Sequence, residues 1–197
     1  MNIQMTMENL KKHGFDVRRF SARQEAVAFL SEQLENRAIG FGGSITLRDI
    51  GLYEELGKKN VIAWLDRNNT EDVIRFARNA SIYITGANAI SESSEIVNID
   101  YMGNLLGMMM YGPEKVYIVT GTNKIVADKE KAIWRAKNIA APHNAKRFGM
   151  NTPCPKKADK CYDCNSPERL CSCMLVMERR PACTPIEIIL IDESLGF

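Results

Sequence analysis

Arg37-Ala38-Ile39-Gly40-Phe41-Gly42-Gly43-Ser44-Ile45-Thr46-Leu47 is the stretch that decides the fold. Its first five residues read as a short strand. The glycines end it, and an apolar pattern at helical spacing follows over about Leu47 to Lys58, carried by Leu47, Ile50, Leu52 and Leu56. A strand running through a glycine turn into a helix is the building unit of an α/β sheet.

The unit recurs on both sides. Upstream, Met1 to Phe20 has a helix-like pattern, and Ser21 to Asn36 reads as a helix with Ala26, Phe29, Leu30 and Leu34 on one face. Ser21 followed by Gln24 spells a capping box for it. Downstream, the strand Val61 to Leu65 precedes a helix from Glu71 to Asn79, with Thr70 as its cap. The strand Ser81 to Thr85 stops at Gly86-Ala87-Asn88. Glu95 to Asp100 and Leu105 to Tyr111 read as a β-hairpin pair, the second piece being open to a helical reading. The apolar strand Lys115 to Thr120 stops at Gly121-Thr122-Asn123-Lys124, and a helix from Asp128 to about Ala140 follows, broken by Pro142. The expected fold class is therefore α/β, a mainly parallel sheet flanked by helices.

Parallel sheets of this kind bind ligands beyond the carboxyl ends of their strands. Gly42-Gly43-Ser44, Gly86-Ala87-Asn88 and Gly121-Thr122-Asn123-Lys124 all fall just past strand ends, so parallel strands bring them to one edge. Gly42 and Gly43 let the backbone approach a ligand closely. Ser44 and Thr46 add hydroxyls beside the amino end of the following helix, where an anion is favoured. The same residues also fit a plain turn and helix cap. Neither a Walker loop nor the G-x-G-x-x-G spelling is present, so NAD is not indicated. Asn88, Asn104, Asn123 and Lys124 are further candidate ligand contacts, Lys124 as the cation for an acidic substrate. In the polar run Ser91-Glu92-Ser93-Ser94-Glu95, Glu92 is the candidate base or nucleophile, against the alternative of a solvated loop.

All six cysteines fall between Asn151 and Pro185, a stretch also interrupted by Pro153, Pro155, Pro167 and Pro181. Glu187 to Asp192 then reads as a last apolar strand, which makes the stretch an excursion at about 151–185 within one domain spanning 1–197. Cys161-Tyr162-Asp163-Cys164 is a C-x-x-C pair that lets two thiolates reach one metal. With Cys154 and Cys171 it forms a candidate four-sulfur set for zinc or an iron–sulfur cluster. Cys173 and Cys183 are left over as spares or substitutes.

A net charge of +2 gives no argument for nucleic acid or an anionic membrane surface. No apolar run reaches the length of a membrane helix, and the first 20 residues lack a signal-peptide core. A cytoplasmic protein with reduced cysteines is expected.

Several stretches, in order, resemble one family. Gly40 to Leu47 with Ile50-Gly51-Leu52 is similar to the glycine-rich element of LUD-domain proteins of the LutC-like, lactate-utilisation type. Thr85 to Ile90, Glu95 to Asp100, Gly103-Asn104, Gly112 to Val116 and Gly121 to Val126 resemble the elements that follow. Ala141 to Arg147 and Pro153-Cys154 are similar to the C-terminal part of one subgroup. The resemblance implies a fold of the NagB/RpiA/CoA-transferase group and support of lactate or small-carboxylate use beside iron–sulfur oxidoreductase partners. It leaves a homo-oligomer open. A sugar-phosphate isomerase or CoA-transferase-like enzyme using Glu92 is the alternative within that fold. A non-catalytic iron–sulfur or zinc redox or regulatory subunit is the alternative outside enzymology. Two departures stand out: Ser94 occupies a place where such relatives carry glycine, and Leu105 one where they carry arginine.

Overall fold

The computed structural model describes residues 1–65, 70–157 and 160–197. In chain order the elements are α1 (Ile3–Lys12), β1 (Asp16–Phe20), α2 (Arg23–Gln33), β2 (Ala38–Phe41), α3 (Ile45–Asp49), α4 (Leu52–Gly57) and β3 (Val61–Trp64). Next come α5 (Glu71–Asn79), β4 (Ile82–Thr85), β5 (Ala89–Ser91), β6 (Ile96–Asp100), α6 (Asn104–Met110) and β7 (Lys115–Gly121). The chain continues through β8 (Ile125–Val126), α7 (Lys129–Arg135), α8 (Ala141–Arg147), α9 (Pro153–Lys157), β9 (Cys173–Met177) and β10 (Ile186–Ile191).

Six strands form one all-parallel sheet in the order β1-β10-β7-β4-β2-β3. Both faces are covered, which explains the near-continuous apolar spelling of its central strands. Along β10, Ile186, Ile188 and Leu190 face one side with Val116 and Ile118 of β7 and Leu10 of α1. Ile189 and Ile191 face the other side with Tyr117 and Val119, against Leu30 of α2 and Leu47, Leu52 and Leu56 of α3 and α4. A second sheet, β8-β5-β6-β9, is mixed. It shares the first of these cores through Ile90, Ile96 and Met177.

The mainly parallel sheet expected from the strand–turn–helix repeat is present. Several local expectations need correction. The N-terminal helical pattern covers only α1, and Asp16–Phe20 is an edge strand beside β10. The next helix is shorter than read and starts after Ala22, not Ser21; the Glu25 carboxylate, rather than Gln24, accepts the Ser21 N–H at 3.0 Å. The helix read over Leu47 to Lys58 is two helices, because Gly51 adopts φ +68° between them. Leu105 to Tyr111 is not the second strand of a hairpin. The Asp100 carboxylate accepts the N–H groups of Tyr101 and Leu105 and starts helix α6, while β6 pairs with β5 and β9 instead. Pro142 does not end its helix: a π-helical turn over Ala136–Ala140 leads into α8, and this wide turn absorbs the missing donor.

Glu187 is the one charged residue inside the strongly apolar β10. It is 3% exposed and accepts hydrogen bonds from Lys115 Nζ and Arg18 Nε, each at 2.5 Å. Burial pushes its carboxyl up, but the Lys115 and Arg18 hydrogen bonds outweigh that and hold it below the usual carboxylate range. A carboxylate with a depressed folded pKa contributes stability above its unfolded value of about 4.3 and loses it as pH falls through the folded value. Glu187→Gln is expected to cost about 1–2 kcal/mol at pH 7, a modest figure because Arg18 remains half in water. In urea titrations the gap from the parent should close below pH 4; a gap that persists in acid would assign the loss to packing instead.

Candidate functional site

The three glycine turns meet where the strand ends predict. A cavity of about 520 Å³ is lined by Gly43 and Ser44 after β2, by Gly86, Ala87 and Asn88 after β4, and by Lys124 after β7. Its other walls come from α6, from α8 and from the cysteine-rich stretch.

Local contacts fix each turn. Asn88 and Asn98 lock together reciprocally: Asn98 Oδ1 accepts the Asn88 N–H at 2.9 Å, and Asn88 Oδ1 accepts the Ile99 N–H at 2.8 Å. Asn98 Nδ2 donates to Gly86 O at 2.9 Å, which ties the turn to β6. On the first turn, a Cβ at Gly43 would stand 2.6 Å from Leu65 O, so only glycine lets the two chains approach there. Arg147 of α8 donates to Gly43 O at 3.0 Å and to Asn144 Oδ1 at 3.2 Å, which places a guanidinium at the cavity wall.

Lys124 is the residue with the most chemical consequence. It is 3% exposed, and its Nζ donates to Thr46 Oγ1 at 2.8 Å. Among the described residues no carboxylate pairs with it. Burial pushes its pKa down to about 7; the neighbouring Arg135 charge adds to that and Asp49 opposes it. A cavity-lining ammonium with one neutral partner is poised to accept either an anion or a proton exchange near neutrality.

The expected site residues separate into two groups. Gly43, Ser44, Asn88, Asn104 and Lys124 line the cavity together. Thr46 lies behind it, fully buried, holding Lys124 and donating to Leu195 O at 3.3 Å. Gly42 supports from beneath, where a Cβ would meet Tyr83 OH and Thr85 Oγ1, both at 2.7 Å. Asn123 does not line the cavity; its side chain accepts the Leu195 N–H at 3.2 Å. Glu92 is not among the lining residues either: its carboxylate accepts the Asn2 N–H at 2.7 Å, and its carbonyl accepts from Asn9 Nδ2. The helix after the first turn, α3, has only five residues, so it offers far less dipole than the sequence pattern suggested.

Sequence reasoning missed Arg147, Thr85, Asp100, Leu170 and Phe197, all at the cavity. Only Arg147 left a signal, a basic residue in the last turn of a helix, and that signal is shared with ordinary helix ends.

The six cysteines are all unpaired: Cys154, Cys161, Cys164 and Cys171 are half-buried, Cys173 and Cys183 exposed. Burial pushes the Cys154 thiol up, and the nearby Cys164 and Cys171 add to that. Cys173 begins β9, a strand that the sequence pattern did not reveal.

The departure at Ser94 has a structural correlate. Ser94 is fully buried with φ +95°, a backbone state that favours glycine, and its Oγ shares a hydrogen bond with His13 Nδ1. Ser94→Ala keeps the strained backbone and loses that bond, so it should be less stable than Ser94→Gly by about 1 kcal/mol. Thermal melts in which alanine is the better of the two would contradict this.

A parallel α/β sheet flanked by helices, with a cavity at its strand ends, defines the class of protein. The chain belongs to the LUD domain family, whose match spans residues 3–191. Its fold is similar to the crystal structure of a duf162 family protein from Deinococcus radiodurans, with a TM-score of 0.55 at 10% identity, covering 96% of this chain and 95% of that one. At that identity the likeness speaks for the fold alone. No curated protein matches. No helix among the described residues is long and apolar enough to cross a membrane.

Proposed function

We propose that the cavity holds a small organic anion, a carboxylate such as lactate or pyruvate, and that the chain supports use of that acid. The observation that carries this is Lys124, an ammonium 3% exposed that lines the cavity and has no carboxylate partner among the described residues. Burying a lysine costs free energy unless a counter-charge arrives, and a bound carboxylate supplies one. The Ser44 hydroxyl, on the same lining, adds a donor for the second oxygen or for a hydroxyl on the ligand. Leu105 stands at the cavity where related proteins are expected to carry arginine, so this chain offers an apolar contact there and has to discriminate among acids differently.

An isomerase or transferase reading needs a free carboxylate at the ligand. Glu92 is held by Asn2; of the cavity's two carboxylates, Asp100 already accepts two backbone N–H groups as a helix cap and Glu168 accepts the Asn151 N–H at 2.8 Å. Anion binding therefore has the better support.

Thermal-shift titration at pH 6.5 with lactate, pyruvate and inorganic phosphate tests the reading. An anion at 100 times its Kd adds about 2.7 kcal/mol, or about 5–10 °C in a chain of this size. If none of the three acids shifts Tm, or if Lys124→Met responds as the parent does, the cavity is not an anion site.

A further inference from the structure

We propose that the acid held in this cavity carries an apolar tail of medium length, its carboxylate at Lys124 and its tail against Leu65, Ile74, Leu105, Met150 and Leu170, a placement that rests on Lys124 as the carboxylate's partner. Four observations converge on it. Size is the first. A volume of about 520 Å³ lies well inside the range of about 300–1,000 Å³ that houses drug-sized ligands. It equals the share of roughly 17 waters at about 30 Å³ each, and a three-carbon acid displaces only a few of them. The cavity also runs past the ends of four adjacent strands. Lys124 follows β7, Thr85 ends β4, Ser44 follows β2 and Leu65 follows β3. At about 4.8 Å from strand to strand this is a breadth of about 14 Å, far beyond the reach of lactate.

Second, apolar side chains converge on the cavity from separate parts of the chain: Leu65 at the end of β3, Ile74 of α5, Leu105 of α6, Met150 after α8 and Leu170 of the cysteine-rich stretch. Third, much of the polar lining is already engaged with the protein itself. Asn98 is shared between the Asn88 N–H and Gly86 O, Asp100 caps α6, and Glu168 accepts the Asn151 N–H. Water along these walls finds few partners, so replacing it with hydrocarbon is favourable. Fourth, Tyr101 and Met102 belong to the lining yet stand 48% and 65% exposed. Large apolar side chains left in water at the edge of a ligand site gain from a ligand that covers them.

The cysteine-rich stretch reaches the cavity through Glu168 and Leu170, and none of its six thiols is among the lining residues. Among the described residues no three cysteine, histidine or carboxylate side chains gather closely enough to hold a metal ion. What this stretch brings to the ligand is therefore the apolar contact of Leu170.

The test titrates lactate, 2-hydroxybutanoate, 2-hydroxyhexanoate and 2-hydroxyoctanoate into the full chain at pH 6.5 by calorimetry. 1,2-Octanediol serves as the uncharged match of the longest acid. Affinity should rise about threefold for each added methylene, a little below the full transfer value because each new rotor is stilled on binding. The heat-capacity change of binding should become more negative along the series, which marks apolar burial. Leu170→Asn should cut the gain between lactate and 2-hydroxyoctanoate at least about fivefold, with its ligand-free melting curve read alongside as the check on fold. The parent's series decides the proposal whether or not that variant folds. Lactate binding with no gain along the series overturns the tail and leaves the anion reading standing. A diol that binds as tightly as 2-hydroxyoctanoate overturns the anion reading and the proposal with it. Binding by none of the four acids overturns both, and a folded Leu170→Asn with an undiminished gain removes Leu170 from the tail's path.

Discussion

Lys124→Met is expected to abolish the anion-induced thermal shift and, at the same time, to raise the stability of the ligand-free protein. The two effects have one cause. The ammonium lies 3% exposed beside a single hydroxyl, and its pKa is pushed down to about 7. An unfolded chain keeps its lysine protons up to about pH 10.4. Between pH 7 and that value the unfolded state binds more protons than the folded one, so the Lys124 contribution to stability improves as pH rises. Below pH 7 the full cost of a buried charge is present. Methionine fills similar space without charge, so the ligand-free variant should gain roughly 1–2 kcal/mol at pH 6.5, the usual range for replacing a functionally placed residue. The parent's rise in stability between pH 7 and 10 should disappear in the variant. Anion affinity in the parent should follow the opposite trend, falling as pH climbs above 7 and the ammonium loses its proton, at most about tenfold per pH unit. Calorimetric titrations across pH 6–9 read this directly; an affinity flat with pH would remove Lys124 from the binding contact.

Gly121→Val is expected to be the most damaging single change in the sheet. A Cβ at Gly121 would stand 2.4 Å from Glu193 O and from Asn123 Oδ1, and 2.9 Å from Leu195 N. Two of these are backbone atoms of the segment after β10, which crosses the end of β7 at this point. Such contacts are relieved only by moving the crossing segment, so the cost should reach at least about 3 kcal/mol, near the top of the usual range for overpacking. That is a fall in Tm of about 6–12 °C. The displaced segment also carries Leu195, whose carbonyl accepts from Thr46, the residue that holds Lys124. The variant should therefore lose anion response even where it remains folded. Melting within about 2 °C of the parent would show that the crossing segment is not fixed by this contact.

Much of the frame was legible because its signals are local. The strand pattern of Lys115 to Thr120, the cap at Thr70 and the glycines at strand ends report on residues a few positions apart. What was not legible has the opposite property. Leu105 to Tyr111 has an apolar run that fits strand or helix, and its state was settled by the Asp100 carboxylate and by β9 taking the open edge of β6. Glu92 looked closest to a ligand along the chain, yet the fold turns its carboxylate to Asn2. Cys173 to Met177 reads as the end of an irregular stretch until its pairing with β6 is seen.

By itself the sequence determined that this chain builds a parallel sheet and that Gly43, Ser44, Asn88 and Lys124 stand beyond its strand ends. Side-chain period and glycine's freedom belong to short segments and need no distant partner. Only the tertiary structure decided that Lys124 is buried with no carboxylate partner among the described residues, because desolvation depends on what other parts of the chain exclude water. It likewise decided that the cysteine-rich stretch, far away in sequence from Gly43, supplies Glu168 and Leu170 to the same cavity. That arrangement depends on β9 returning to pair with β6, a contact made across more than 70 residues and therefore invisible to any local pattern.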